Sequence, residues 1–152
     1  MRLKPDEEAR LNNILAPIKN DKRVQKMKQF IQHGHISTYE HVESVTRLSF
    51  WINKRLHIGG DDRILTIGAF LHDYYLYDWH KGDEGHGLHG FSHSKTAKDN
   101  AVRHFGIGKR TQAVIESHMW PLNITKVPRS REAWIVCIAD KFVSTRETIF
   151  CR

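Results

Sequence analysis

A histidine and an aspartate interrupt an apolar helical run within residues 69–80, which read AFLHDYYLYDWH. His72 and Asp73 stand side by side, directly after the run that ends at Leu71. An unpaired carboxylate in apolar surroundings costs several kcal/mol, which is comparable with the net stability of a whole domain. Asp73 therefore needs a partner, and the rest of the chain must supply it.

Other ionisable residues also fall on the apolar faces of predicted helices. Residues three and four positions apart share a helix face, and His41, His72, His118 and Asp140 each line up in this way with apolar residues. Asp140 follows AWIVCIA, a stretch that is apolar almost all round and is therefore predicted to be deeply buried. Each residue alone is better explained as a satisfied core histidine or a structural ion pair. Several on separate helices favour a metal site, because helical bundles build metal sites in this way.

Helical periodicity dominates the chain, so the predicted fold class is all-α. Ser37 and Glu40 form a capping box that predicts the start of a long helix. His33, His35, His57 and His104 lie in turns or near helix ends and are predicted to be solvated. The first predicted helix begins at Pro5. The other predicted helices span about 21–32, 37–56, 64–74, 94–105, 109–119 and 130–150, with a loop over 80–93.

Length and charge narrow the classes of protein. The 152 residues fit one domain, and neither a secretory leader nor an apolar run of about 20 residues is seen, which predicts a cytoplasmic protein without membrane association. Two cysteines suggest no disulfide framework. The net charge of +7 favours an anionic ligand. The densest basic run, between Lys19 and Lys28, is more typical of a solvated helix face, which argues against nucleic acid as a partner.

The ordered set of His41, the His72–Asp73 doublet, a glycine- and histidine-rich loop, His118 and Asp140 resembles the HD-domain superfamily of metal-dependent phosphohydrolases. The doublet is the motif that names this superfamily, and the resemblance covers roughly residues 37–150. It implies an HD-domain-like helical bundle. We therefore expect a metal-binding catalytic domain over residues 37–152, preceded by a short N-terminal helical extension over residues 1–36.

The resemblance also implies a ligand set. His41, His72, Asp73 and Asp140 are expected to bind one metal ion. Members with two ions add two histidines between the doublet and the last aspartate. His118 matches the second of these, and His93 best matches the first, with His89 as the alternative and His80 and His86 left open. Asp73 is then expected to bridge the ions with its two oxygens.

The implied cofactors are one or two divalent transition metal ions. Nitrogen and oxygen ligands suit Mn, Fe, Co, Ni or Zn, and the order of affinities does not choose among them. The implied activity is hydrolysis of a phosphate ester or nucleotide by a metal-activated water, with His72 and Asp73 at the catalytic centre. His89 on the loop, or His80 or His86, is the candidate proton donor to the leaving group. Lys95 is the candidate contact for substrate phosphate, as are Lys141 and Arg146.

Two alternatives keep the same ligands. Some members of this fold hold two irons and oxidise their substrates with O₂. A metal-stabilised binding module without catalysis is the other alternative, and it would recruit its partner through the segment from Lys19 to Lys28. The expected partner of the enzyme is a small phosphorylated substrate, with a nucleotide as one candidate, and the sequence leaves homodimer formation open.

Overall fold

The computed structural model describes residues 2–78 and 89–150, with only the backbone of residues 89–91. The described part contains seven α-helices, one 3-10 helix and a small antiparallel hairpin, which confirms the all-α fold class. No helix in this part is long and apolar enough to cross a bilayer. The elements are α1 (Pro5–Lys19), α2 (Lys22–Gln25), a 3-10 helix (Lys26–Gln29), β1 (Ile31–His33), β2 (Ile36–Ser37), α3 (Thr38–Arg55), α4 (Asp62–Leu71), α5 (His89–Phe105), α6 (Lys109–Ser117) and α7 (Arg131–Phe150).

The prediction of one helix over residues 21–32 was wrong in its second half. The helix tightens into the 3-10 turn at Lys26, and Phe30 is already extended. Strands β1 and β2 then pair across a two-residue turn whose first residue, Gly34, has a φ of 56°. Glycine adopts this conformation without steric cost, and a short hairpin turn of this kind favours it. The hairpin matters for function because it carries Gln32 and His33 toward the later helices.

Local signals fixed the beginnings of the central helices. Ser37 accepts from the Glu40 amide, and the Glu40 carboxylate accepts from the Ser37 amide, so the predicted capping box forms and α3 begins as expected. Asp61 caps α4 through the amides of the next turn. Helix α4 ends at Leu71 rather than near Tyr74, so His72 and Asp73 leave the helix. Helix α5 begins at His89, five residues before the predicted start at Ser94.

Helix α4 lies in the core, in contact with α3, α6 and α7. At Gly68 on α4, an added Cβ would lie 2.7 Å from Val114 Cγ1 on α6, so the missing side chain lets these helices approach closely. Helix α1 also belongs to the core, because Leu11, Leu15 and Ile18 are buried in the same apolar cluster as Phe70. The predicted boundary between an extension over 1–36 and a catalytic domain over 37–152 stays a prediction.

Candidate metal centre

The structure brings the six predicted metal ligands together from five helices. His41 lies in the first turn of α3, His93 lies near the start of α5, and Asp140 lies midway along α7. His72 and His118 occupy the C-caps of α4 and α6, and Asp73 follows His72. All six residues are buried, with exposed fractions of 8% or less.

Four of these residues form a first donor set around one oxygen of Asp73. His41 Nε2 lies 3.7 Å from Asp73 Oδ2 and 3.2 Å from Asp140 Oδ1. His72 Nε2 lies 3.4 Å and 3.6 Å from the same two oxygens. Ligands at about 2.0–2.2 Å from a common ion are separated from one another by roughly 3–3.6 Å, depending on the coordination angle. The first donor set therefore has the spacing of a metal shell.

A second donor set surrounds the other oxygen of Asp73. Asp73 Oδ1 lies 3.3 Å from His93 Nε2 and 3.4 Å from His118 Nε2. The two imidazole nitrogens are 3.1 Å apart. Asp73 thus presents one oxygen to each donor set, which is the arrangement of a carboxylate that bridges two ions.

Two atoms in the centre are buried without a hydrogen-bond partner. They are His72 Nε2 and Asp73 Oδ1. A buried polar atom without a partner costs about 1–3 kcal/mol, and more when it is charged. A cation in the first donor set would satisfy His72 Nε2 and a cation in the second would satisfy Asp73 Oδ1, so the residues present fit a metal centre.

Hydrogen bonds at the outer nitrogens orient three of the imidazoles. His72 Nδ1 donates to the Ala69 carbonyl at 2.7 Å, and His118 Nδ1 donates to the Ile115 carbonyl at 2.7 Å. These carbonyls belong to the last helical turn, where the helix itself offers no donor. His41 Nδ1 lies 2.8 Å from Glu147 Oε2. Each contact directs Nε2 toward the centre, as is usual for metal-bound histidine.

A polar chain holds Asp73 from the hairpin. Gln32 Nε2 donates to Asp73 Oδ2 at 2.6 Å. The Gln32 Oε1 atom in turn accepts from the Tyr75 hydroxyl and from Thr38 Oγ1. Because Gln32 is buried and its amide oxygen is held on the other side, the orientation of the Asp73 carboxylate is fixed.

The charges of the centre follow from burial and from these neighbours. Burial alone would raise the pKa values of Asp73 and Asp140, but nearby histidines hold both well below the ordinary value. Burial opposes protonation of His41, and Asp140 and Glu147 outweigh it and raise its pKa to about 9. Burial lowers the pKa of His118, which favours the neutral imidazole. The carboxylates are therefore ionised at neutral pH and attract a cation.

The sequence interpretation missed three residues around the centre. Gln32 lay inside the wrongly extended helix, and Glu147 was not singled out although it lies seven residues after Asp140, on the same helix face. His33 was predicted to be solvated, but it is partly buried and its ring lies 5.6 Å from that of His41. His104 was also predicted to be solvated, but its Nδ1 pairs with the Tyr74 hydroxyl at 2.8 Å. The partial burial of His33 and the hydrogen bond of His104 both arise from tertiary packing.

A cavity of about 620 Å³ lies beside the centre. Asp73, His93, His118 and Asp140 form part of its wall, so a ligand in the cavity would contact residues of both donor sets. The remaining lining includes the apolar Met119, Pro121 and Leu122 and the polar Gln32, His33, Lys141, Ser144 and Thr145.

The other predicted catalytic residues are placed as follows. Lys95 is exposed and pairs with Asp99 at 3.1 Å, and it is not among the residues that line the cavity. Lys141 does line the cavity. The side chain of His89 and all of His80 and His86 lie outside the described residues. The roles of His89 and Lys95 stay predictions.

A helical bundle that gathers four histidines and Asp140 around the Asp73 carboxylate defines a class of metal-binding helical domains. Comparison with known families gives the same answer: the HD domain family model matches residues 38–144, well over half of the chain. The chain belongs to the HD domain family. No curated protein and no solved structure matched it.

Proposed function

We propose that this protein is a metal-dependent phosphohydrolase that cleaves a phosphate ester with two divalent cations. The observation that carries the proposal is the Asp73 carboxylate, whose two oxygens face two separate donor sets. Phosphoryl-transfer enzymes with two metals use bridging carboxylates of this kind to hold the ions close together. Membership of the HD domain family supports the same class of reaction.

Each donor set has its own residues. His41, His72 and Asp140, with Asp73 Oδ2, would hold one ion. His93 and His118, with Asp73 Oδ1, would hold the other. Among the described residues the second set has fewer protein donors, so it would leave more room for water and substrate oxygens. Nitrogen and oxygen donors suit Mn, Fe, Co, Ni or Zn.

When bound, such a pair of ions supplies a water of lowered pKa and positive charge for the phosphoryl oxygens. The chain's own residues prepare the site for this chemistry. Gln32 holds Asp73 in one orientation, and Glu147 and two backbone carbonyls hold the imidazoles. Lys141 places a cation in the cavity wall, where it attracts a substrate phosphate. Preorganised groups of this kind need no rearrangement during the reaction.

The proposal is tested by counting metal ions and measuring phosphatase activity on the same samples. We expect about two ions per chain by elemental analysis, and metal-dependent hydrolysis of p-nitrophenyl phosphate. Asp73→Asn removes the carboxylate that serves both donor sets, so it should lose both ions and all activity. His118→Ala should keep the ion of the first set and lose the other.

Asp6→Asn, an exposed change on α1, is the matched control and should leave metal content and activity intact. Metal-loaded protein that hydrolyses no phosphorylated compound would contradict the proposal. Exclusive iron content with consumption of O₂ would instead support an oxygenase. Retention of both ions by Asp73→Asn would show that this carboxylate does not bridge them.

A further inference from the structure

Among the described residues, the cavity beside the metal centre has a lysine side chain on only one part of its wall. Lys141 is the one lysine or arginine among the described residues that line it. Its ammonium group donates to the His118 carbonyl at 2.8 Å and lies 3.4 Å from Cys137 Sγ. These two contacts hold it in place and leave one of its three hydrogens for a ligand.

The two hydroxyl groups of the cavity wall are committed as donors. Ser144 Oγ donates to Asp140 Oδ1 at 3.1 Å, and Thr145 Oγ1 donates to the Lys141 carbonyl at 2.7 Å. A hydroxyl has a single hydrogen, so toward a ligand both groups offer only lone pairs. They suit a hydroxyl or amino group of the substrate, and they repel an additional phosphate oxygen.

Another part of the cavity wall is apolar. Met119, Pro121 and Leu122 lie just after His118 in the chain and line the cavity. A charged phosphate placed against these side chains would lose part of its hydration, and none of the three offers a counter-charge, which is unfavourable. A planar or aliphatic body placed there would instead remove apolar surface from water.

On the basis of the proposed phosphohydrolase function, we infer that the substrate is a phosphate monoester with one phosphate group and a compact apolar or planar body. The phosphate meets the metal centre and Lys141, the body packs against Met119, Pro121 and Leu122, and hydroxyl or amino donors on the body reach Ser144 and Thr145. A nucleoside monophosphate has this chemistry. A nucleoside triphosphate carries further charges that the described wall does not neutralise.

The test compares adenosine mono-, di- and triphosphate with the metal-loaded full chain, measuring released phosphate. The adenosine body is constant, so kcat/KM reports the effect of the added phosphates alone. We expect kcat/KM to be at least about tenfold higher for the monophosphate than for the triphosphate, because unpaired polar groups discriminate strongly between substrates. Leu122→Lys adds a cation to the apolar wall and should narrow this ratio several-fold.

Ile124→Lys is the matched control, because Ile124 is 75% exposed in the same connection and does not line the cavity. It adds the same charge and should leave the ratio unchanged. A wild-type protein that cleaves the triphosphate as well as the monophosphate would overturn the inference while leaving the phosphohydrolase function standing. An unchanged ratio in Leu122→Lys would also overturn it. Failure to hydrolyse any phosphate compound, p-nitrophenyl phosphate included, would overturn the proposed function itself.

Discussion

At the scale of single residues, Asp73 connects the two halves of the centre. Its Oδ2 accepts a hydrogen bond from Gln32, whereas its Oδ1 is buried without a hydrogen-bond partner. An asparagine in its place would have the same shape but would lack the second anionic oxygen. The two-ion centre that we propose would therefore require a carboxylate after His72, and an amide or hydroxyl there would not serve both donor sets.

Glu147 is a residue whose importance shows only through its contact with His41. Its carboxylate accepts from His41 Nδ1, which fixes the ring and raises the basicity of Nε2. We expect Glu147→Ala to weaken metal binding by about 10–100-fold, since this is the usual effect of removing such a partner. The affinity is measured by titrating metal into the metal-free protein by calorimetry.

Two further variants distinguish a loss of His41 orientation from a loss of folding. Glu147→Gln keeps an oxygen that accepts from His41 Nδ1, so it should lose less affinity than Glu147→Ala. Thr148→Ala changes the exposed neighbouring residue on α7 and should bind metal as the wild type does. If Glu147→Ala and the wild type bind metal equally, the contact does not orient the ligand.

At the scale of helices, most ligands lie near helix termini. His72 and His118 sit at C-caps, and each donates Nδ1–H to a carbonyl three residues earlier. The same geometry therefore appears on α4 and α6, and the separation of these two helices sets the distance between the rings, whose centroids are 4.8 Å apart.

The contact at Gly68 controls this separation. Gly68→Ala would place Cβ 2.7 Å from Val114 Cγ1, closer than atoms pack, so α4 and α6 must shift. Overpacking costs about 1–3 kcal/mol, whereas the gain in helix propensity is at most about 1 kcal/mol. We expect a lower free energy of unfolding in denaturant titrations and a Tm that falls by about 2–4 °C per kcal/mol.

The double variant Gly68→Ala/Val114→Ala provides the control, because it removes the atoms that the new Cβ meets. Its Tm should lie above that of Val114→Ala, because the added methyl group fills part of the space that the valine leaves. If Gly68→Ala unfolds at the wild-type temperature, the helices are not held apart by this contact.

Helix α1 is attached by ion pairs as well as by apolar packing. Arg55 donates to both carboxylate oxygens of Glu7, and these hydrogen bonds lower the Glu7 pKa to about 2 from 4.5. Because the folded pKa is depressed, the pair stabilises the protein above pH 4.5, and this contribution is lost as the pH falls from 4.5 toward 2.

The pH dependence gives a direct measurement. At neutral pH, Glu7→Gln should have a lower Tm than the wild type, and the difference should shrink continuously below about pH 4.5. Thermal unfolding of both proteins over this range checks the expectation. Asp6→Asn, which neutralises the exposed carboxylate one position earlier on α1, serves as the control and should change the Tm far less. A difference in Tm that stays constant with pH would rule out the charge of Glu7 as its origin.

At the scale of the whole molecule, the centre joins α3, α4, α5, α6 and α7 through buried polar side chains. The metal ions we propose would therefore contribute to folding as well as to catalysis. A ligand present at about 1,000 times its Kd stabilises the folded state by roughly 4 kcal/mol. Removing the metal with a chelator should accordingly lower the Tm by roughly 8–16 °C.

This expectation is checked by calorimetric unfolding before chelation, after chelation and after restoring the metal. Restored metal should recover the original Tm. In Asp73→Asn, where both donor sets are incomplete, the chelator should have little effect. If the wild-type Tm does not respond to the chelator, the ions are either absent or not linked to folding.

The sequence by itself determined the helical fold class, the capped start of α3 and the inward position of four of the six ionisable residues. Apolar periodicity and capping patterns act over a few residues, so one chain is enough to read them. This reasoning placed four residues on inward helix faces, namely His41, His72, His118 and Asp140. The resemblance to the HD superfamily added Asp73 and His93. The structure gathers all six in one place.

Tertiary structure alone decided which groups meet. The hairpin that aligns Gln32 with Asp73, and the pairing of His41 with Glu147 across 106 positions, depend on how separate elements pack. Helical periodicity shows that a side chain points inward, but it does not show which side chain of another helix it will face. The assignment of each Asp73 oxygen to its own histidine pair is fixed by that packing, and so is the apolar wall that we expect to select the substrate.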